Sequence, residues 1–281
     1  VTVLEHEAQV GGCLQTFRRG AALFDTGFHY VGALDEGESL HTLFSYFDLM
    51  GLPWKKLDED CFDEVVIGED TFAFANKHQR FYERMAARFP KEREGLKKYV
   101  DFLKGVGDHI FDAFKGDESK RHTYTLLSRS AYEFLNETIQ NPLLRKVLSG
   151  TSLKMELNAP TLPLYTFAQI NDSFIRSAWR LRGGGSQIAD KLVEGILSMG
   201  GEVRTRAAVT YIKEENGKAV GVIVNEEDYL EADWIISSVH PSHTISLVKD
   251  SKALRNIYRN RIANLDNTFG MFTANIRLKP G

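Results

Sequence analysis

Glu5 closes a short apolar β run at residues 1–4, and Gly11 and Gly12 follow six and seven residues later. A carboxylate at a strand tip can accept hydrogen bonds from both vicinal hydroxyls of a ribose, and it repels a 2′-phosphate. Glu5 therefore reads as the sugar contact of a dinucleotide other than NADP, the plain alternative being an ordinary strand end. Adjacent glycines lack the Cβ atoms that would hold a pyrophosphate away from main-chain N–H groups. The GxGxxG turn expected about 20 residues before such an acid would fall before Val1. Other constellations point nowhere in particular. His240 and His243 have neither an HExxH helix nor a cysteine partner, so they read as the start of a helix and not as a metal site. Arg176, Arg180 and Arg182 could face phosphate but read as a solvated helix flank. Phosphoryl and acyl transfer lack a Walker lysine and a GxSxG elbow.

The elements that must position these residues alternate in kind. Residues 1–4 read as a buried-type β run that opens the chain without methionine, so the chain is expected to be a fragment. Leu40, Leu43, Phe44, Phe47 and Met50 recur at three and four, which predicts an amphipathic helix over 39–50 stopped by Gly51 and Pro53. Short β runs follow at 64–67 and 71–75. Residues 79–150 are mainly helical, with the charges of 91–94 on a solvated face, and a further helix is expected over 162–179. After the glycines at 183–185 come a helix over 187–199 and β runs at 202–204, 209–214, 218–224 and 234–239, with Asn216-Gly217 as a hairpin turn. A helix over 251–262 and a β run at 271–278 close the chain.

The run Gly11-Gly12-Cys13-Leu14-Gln15-Thr16-Phe17, continued by Phe24-Asp25-Thr26-Gly27-Phe28-His29-Tyr30-Val31-Gly32, resembles the FAD-binding fingerprint of the phytoene desaturase and amine oxidase superfamily. Within it, the run is most similar to the retinol saturase and carotenoid isomerase branch; amine oxidases generally carry Arg where Cys13 stands. Residues 184–239 are similar to the second FAD segment of the same superfamily. The resemblance implies an α/β fold: a glutathione-reductase-type, Rossmann-like FAD-binding domain, incomplete here, with a mainly helical inserted substrate domain. The implied boundaries are 1–38 with 183–246 for the FAD-binding domain, and 39–182 with 247–281 for the substrate domain. The implied cofactor is FAD, held by Glu5, Gly11, Gly12 and the main chain of Val209. The implied activity is an oxidoreductase acting on C=C bonds of a polyprenoid, carotenoid or retinoid-like substrate. Saturating such a bond needs a hydride from the flavin and a proton from a nearby acid; the resemblance puts His29 and Tyr30 closest to that task. Asp25 is expected to hold its turn through the backbone. Two other readings stay open: a flavin-dependent cis–trans isomerase without net redox change, and a non-catalytic module that binds apolar ligands.

Composition sets the outer limits. In 281 residues, 35 basic and 38 acidic side chains leave a formal charge of -3, so no global field favours nucleic acid. Cys13 and Cys61 offer no disulfide framework and suit a reducing, cytoplasmic setting. No apolar run is long enough to span a bilayer. Residues 39–181 hold 13 of the 18 Phe, which suits an apolar small-molecule substrate delivered by peripheral contact with a membrane. Phe at helical spacing is more often core. The sequence leaves the oligomeric state open.

Overall fold

The computed structural model describes residues 1–110, 117–156, 158–249, 251 and 253–278. They fall into two compact units, Val1–Gly27 with Ser186–Gly281, and Phe28–Gly185. The chain opens with β1 (Thr2–Leu4), β2 (Thr16–Arg19) and β3 (Ala22–Asp25). The second unit follows with β4 (Val31–Gly32), α1 (Ser39–Tyr46), β5 (Trp54–Lys56), β6 (Asp63–Ile67), β7 (Asp70–Phe74), α2 (His78–Arg88) and α3 (Arg93–Asp108). It continues through α4 (Asp117–Ser128), α5 (Ala131–Thr138), α6 (Pro142–Leu148), α7 (Leu164–Arg176) and β8 (Ala178–Leu181). The first unit resumes with α8 (Ser186–Ser198), β9 (Glu202–Arg204), β10 (Val209–Glu215), β11 (Lys218–Val224), β12 (Asp228–Glu231), α9 (Pro241–Leu247) and α10 (Asn256–Ala263).

In the first unit β1 pairs in parallel with β9, Thr2 opposite Glu202 and Leu4 opposite Arg204. Strands β10, β11 and β12 form an antiparallel meander. Its first turn is the expected hairpin: Asn216 and Gly217 both have positive φ, +52° and +79°, the type I′ signature. Ala207, Ile212, Val222, Val224 and Leu247 form a small core, with Leu4 and Val209 packed against it. Leu247 joins this core from α9, so residues 247–281 lie in the first unit, whereas residues 28–38 and 183–185 lie in the second.

The second unit is built on one large core in which α3 and α7 pack together. Eight phenylalanines are buried there, and Tyr99 stands between Phe81, Phe134 and Phe167. Helix α7 comes so close to β4 that a Cβ on Gly32 would strike the main chain at Ser173. Helix α6 starts with Asn141 accepting from the N–H groups of Leu143 (2.9 Å) and Leu144 (3.2 Å), followed by Pro142 at the first position. Asn141→Ala should cost about 1 kcal/mol, the usual value of an N-cap; a urea midpoint that does not move would contradict that role.

Several expected elements differ. The run at 1–4 is largely exposed, with Val1 at 97%, because β1 is hydrogen-bonded along one edge only among the described residues. The expected helix at 162–179 ends at Arg176, and Trp179 belongs to β8, where it faces Val31 and Lys56. The helix expected over 39–50 stops at Tyr46, followed by Asp48 at φ +55°. The last helix begins at Asn256 and not at 251. Residues 234–239 and 271–278 have the apolar content of strands but form none; Trp234, Ile236 and Phe272 are 90% or more exposed, with no described strand beside them to complete a ladder. Glu92, expected on a solvated face, is buried and accepts from the N–H groups of Gln140 (3.1 Å) and Asn141 (2.6 Å). Arg176 is no solvated flank either, since it is ion-paired to Asp172 and Asp108. His240 caps α9 by accepting from the Ser242 N–H, as a helix start should. No group of side chains suited to a metal ion occurs among the described residues.

Candidate functional site

The nucleotide-type residues gather in the first unit. Parallel pairing with β9 brings Glu5 to the end of β1, where its main chain bridges to Arg204 and Ala207, each bond 2.9 Å. Its Oε1 accepts from the Glu7 N–H at 2.8 Å, which fixes the carboxylate, and Oε2 has no hydrogen-bond partner among the described residues. Gly11 has φ +108°, open to glycine and strained for other residues, and a Cβ there would meet the Ala189 Cβ of α8 at 3.0 Å. Gly12 follows at φ +51°, and a Cβ there would meet nothing within 4 Å. One 3-10 turn then closes through Leu14 N–H to Gly11 C=O (2.8 Å) and Gln15 N–H to Gly12 C=O (3.0 Å), and the N–H groups of Gly12 and Cys13 have no acceptor among the described residues. Asp25 ends β3 opposite Thr16.

Val209 enters through the register of β10. It pairs with Val224, and the Asn225 N–H bonds to the Ala208 C=O at 2.8 Å, which marks Val209–Val224 as a pair that exchanges no hydrogen bonds. The main-chain N–H and C=O of Val209 thus lie on the edge of β10 away from β11, while its side chain packs on the small core.

His29 and Tyr30 belong to the second unit, just before β4. The Tyr30 ring lies against Phe174 (centroids 4.8 Å) and Phe62 (6.2 Å). Its hydroxyl donates to Asp63 Oδ2 and accepts from Lys154 Nζ at 2.5 Å. Lys154 sits over the faces of Tyr30 and Phe174, 4.1 and 4.9 Å from the centroids, and is 3.4 Å from Asp63. Burial, with the Asp63 carboxylate beside it, raises the Tyr30 hydroxyl far above its ordinary value, and burial lowers the Lys154 ammonium. His29 Nδ1 donates to the Tyr30 carbonyl at 2.6 Å, which leaves the lone pair on Nε2. Burial, reinforced by the charge of Lys154, holds His29 below the usual imidazole range, against the opposing effect of that hydrogen bond. His29 should therefore be neutral at pH 7, and Lys154→Met should raise its NMR titration midpoint; a midpoint at or above the ordinary value of about 6.5 would contradict this environment.

The flavin containing amine oxidoreductase family matches residues 1–269. The chain belongs to that family. As a member of it, the chain is 30% identical over 264 residues to an all-trans-retinol 13,14-reductase of Danio rerio, covering 84% of this chain and 43% of that protein. It is 22% identical over 260 residues to a chloroplastic prolycopene isomerase of Daucus carota, covering 85% of this chain and 42% of that one. An oxidoreductase from Methanosarcina mazei shares the fold, with a TM-score of 0.64 at 18% identity over 94% of this chain and 59% of that structure. The family member described here thus spans less than half the length of the curated relatives it matches. Its fold is the α/β arrangement of flavin enzymes of the amine oxidase type, as the sequence resemblance implies.

Among the described residues the first unit thus has a carboxylate fixed by one oxygen at Glu5, N–H groups without an acceptor at Gly12 and Cys13, and the main chain of Val209 on the edge of β10 away from β11. Sequence reasoning missed Asp63 and Lys154, which stand 33 and 124 residues from Tyr30. Each is an ordinary charged residue in its local pattern, and no motif marks either one.

Proposed function

We propose that the chain is part of an FAD-dependent oxidoreductase acting on C=C bonds of a polyprenoid, carotenoid or retinoid-like apolar substrate. The first unit is the FAD-binding domain: Glu5 takes the ribose hydroxyls, the main chain at Gly11 and Gly12 lies against the pyrophosphate, and Val209 meets the adenine edge through its N–H and C=O. The second unit is the substrate domain, with His29 and Tyr30 at the place where a proton is delivered to the substrate. Bound flavin supplies or removes the hydride. The chain's own side chains orient the cofactor and manage the proton. The observation that carries the reading is the Glu5 carboxylate, pinned by one oxygen to the Glu7 N–H and open at the other. Family membership and the activities named for the relatives support the choice of substrate class.

No described helix is long and apolar enough to cross a membrane. A cytoplasmic enzyme that meets its substrate by peripheral membrane contact is part of this proposal. The test is to supply FAD, a reductant and all-trans-retinol, then weigh the product. A gain of two hydrogens supports saturation. An unchanged mass with an altered double-bond geometry favours isomerisation, the activity named for the Daucus carota relative. A protein that shows no flavin absorbance near roughly 450 nm after reconstitution, yet retains the polyene, leaves only a ligand-binding role.

A further inference from the structure

The geometry points to Lys154 as the proton donor of the second unit, with Tyr30 and Asp63 as the residues that position it. This assignment rests on the functional reading above and goes one step beyond it. Tyr30 has a single hydroxyl proton, and that proton is committed to Asp63 Oδ2. The hydroxyl oxygen meanwhile accepts from Lys154. For Tyr30 to protonate a substrate it would have to break a hydrogen bond to a carboxylate, a strong class of bond. An ammonium has three N–H donors. Lys154 directs one to Tyr30 at 2.5 Å and a second, longer one to Asp63 at 3.4 Å, so one has no acceptor among the described residues.

The surroundings favour the same group. The Lys154 ammonium rests on the faces of Tyr30 and Phe174, and its side chain is 28% exposed. It therefore combines an apolar aromatic wall, suited to a polyene, with a route for recovering a proton from water. The ionisable groups facing it are Tyr30, Asp63 and His29, with Arg180 acting on His29 through its charge. Burial lowers the affinity of Lys154 for its proton, which makes it a stronger acid near neutral pH than an exposed lysine. The step balances as follows. Bound reduced flavin would supply the hydride for one carbon, losing two electrons; a Lys154 N–H bond breaks as a C–H bond forms at the other carbon. The N–H electron pair stays on nitrogen, and the neutral amine takes a proton from solvent.

The test compares three proteins supplied with FAD, dithionite and all-trans-retinol. Lys154→Met should saturate the substrate about 100-fold more slowly or worse, the usual worth of a general acid, and should lose the fall in rate on the alkaline side of the wild-type pH profile. Tyr30→Phe, which removes the positioning group and leaves the acid, should slow the reaction less than Lys154→Met does and keep the alkaline limb of the pH profile. Competitive acetylation of the wild-type chain gives a readout independent of turnover: Lys154 should titrate below the other lysines. An ordinary lysine midpoint overturns the proposal, as does a reversed pattern in which Tyr30→Phe abolishes the pH limb and Lys154→Met is active. A wild-type protein that binds FAD but leaves retinol unchanged overturns the functional reading and the donor role with it. That outcome is distinct from failure of Lys154 alone, in which wild type and Lys154→Met are equally active.

Discussion

Asp172→Ala should destabilise the second unit by about 3–5 kcal/mol, the cost of removing one partner from a buried ion pair. Asp172 is 3% exposed in its side chain and lies on α7, where Oδ1 meets His78 Nε2 at 2.6 Å and Oδ2 meets Arg176 Nε at 2.5 Å. Arg176 continues to Asp108 at 2.6 Å, so a single carboxylate links α2, α7 and the end of α3. Gly107 makes the cluster possible, since any Cβ there would overlap the Asp172 carboxylate. Without Asp172 the Arg176 guanidinium keeps the half-exposed Asp108 and a long bond to the Lys104 carbonyl (3.4 Å), and His78 loses the carboxylate that meets its Nε2. Hydrogen exchange in α3 and α7, together with the urea midpoint, reads the effect. A loss below about 1 kcal/mol would put the cluster in the class of solvated surface pairs. The same chemistry sets the acid limit of the unit. Burial alone would raise Asp108, but its hydrogen bond from Arg176 outweighs burial and holds it below the usual carboxylate range. Asp35 is lowered in the same way, burial being outweighed by Lys56, Lys77 and Trp179. Because both folded values lie below the unfolded one, their stabilisation is complete above about pH 5 and is lost as the pH falls through the folded values.

What could be read in advance divides by the range of the interactions. Asn216-Gly217 and the glycine pair are local signals, governed by φ, and the structure gives all four residues positive φ. The His240 helix start is local in the same sense. The errors fall where tertiary partners decide. Glu92 has the local context of a surface charge, but its partners at Gln140 and Asn141 lie 48 and 49 residues away. Arg176 looks like one of three arginines on a flank until Asp108 and Asp172 close around it. The apolar runs at 234–239 and 271–278 have strand composition, but a strand needs a neighbour to take its hydrogen bonds, and composition does not say whether one is present. The site divides in the same way: Glu5, Gly11 and Gly12 sit within eight residues and are legible together, whereas Lys154 and Asp63 meet Tyr30 only through the fold.

Glu5→Ala should weaken FAD binding by about 1.5–3 kcal/mol, roughly 10- to 150-fold in Kd, the worth of hydrogen bonds to a charged acceptor. The argument turns on which oxygen is used. Oε1 is engaged by the Glu7 N–H at 2.8 Å, so alanine removes both a ligand contact and a bond that shapes the loop leading to Gly11. Glu5→Gln separates the two effects, since its carbonyl oxygen can still accept from Glu7 while the negative charge is gone. If the carboxylate holds the ribose, Gln should lie between wild type and Ala, because a neutral acceptor makes the weaker bond. If Glu5 only shapes the loop, Gln should bind FAD like wild type and Ala alone should fail. Quenching of flavin fluorescence on titration with protein gives all three affinities. Equal affinity in wild type and Ala would remove Glu5 from the cofactor site and, with it, the observation on which the functional reading stands.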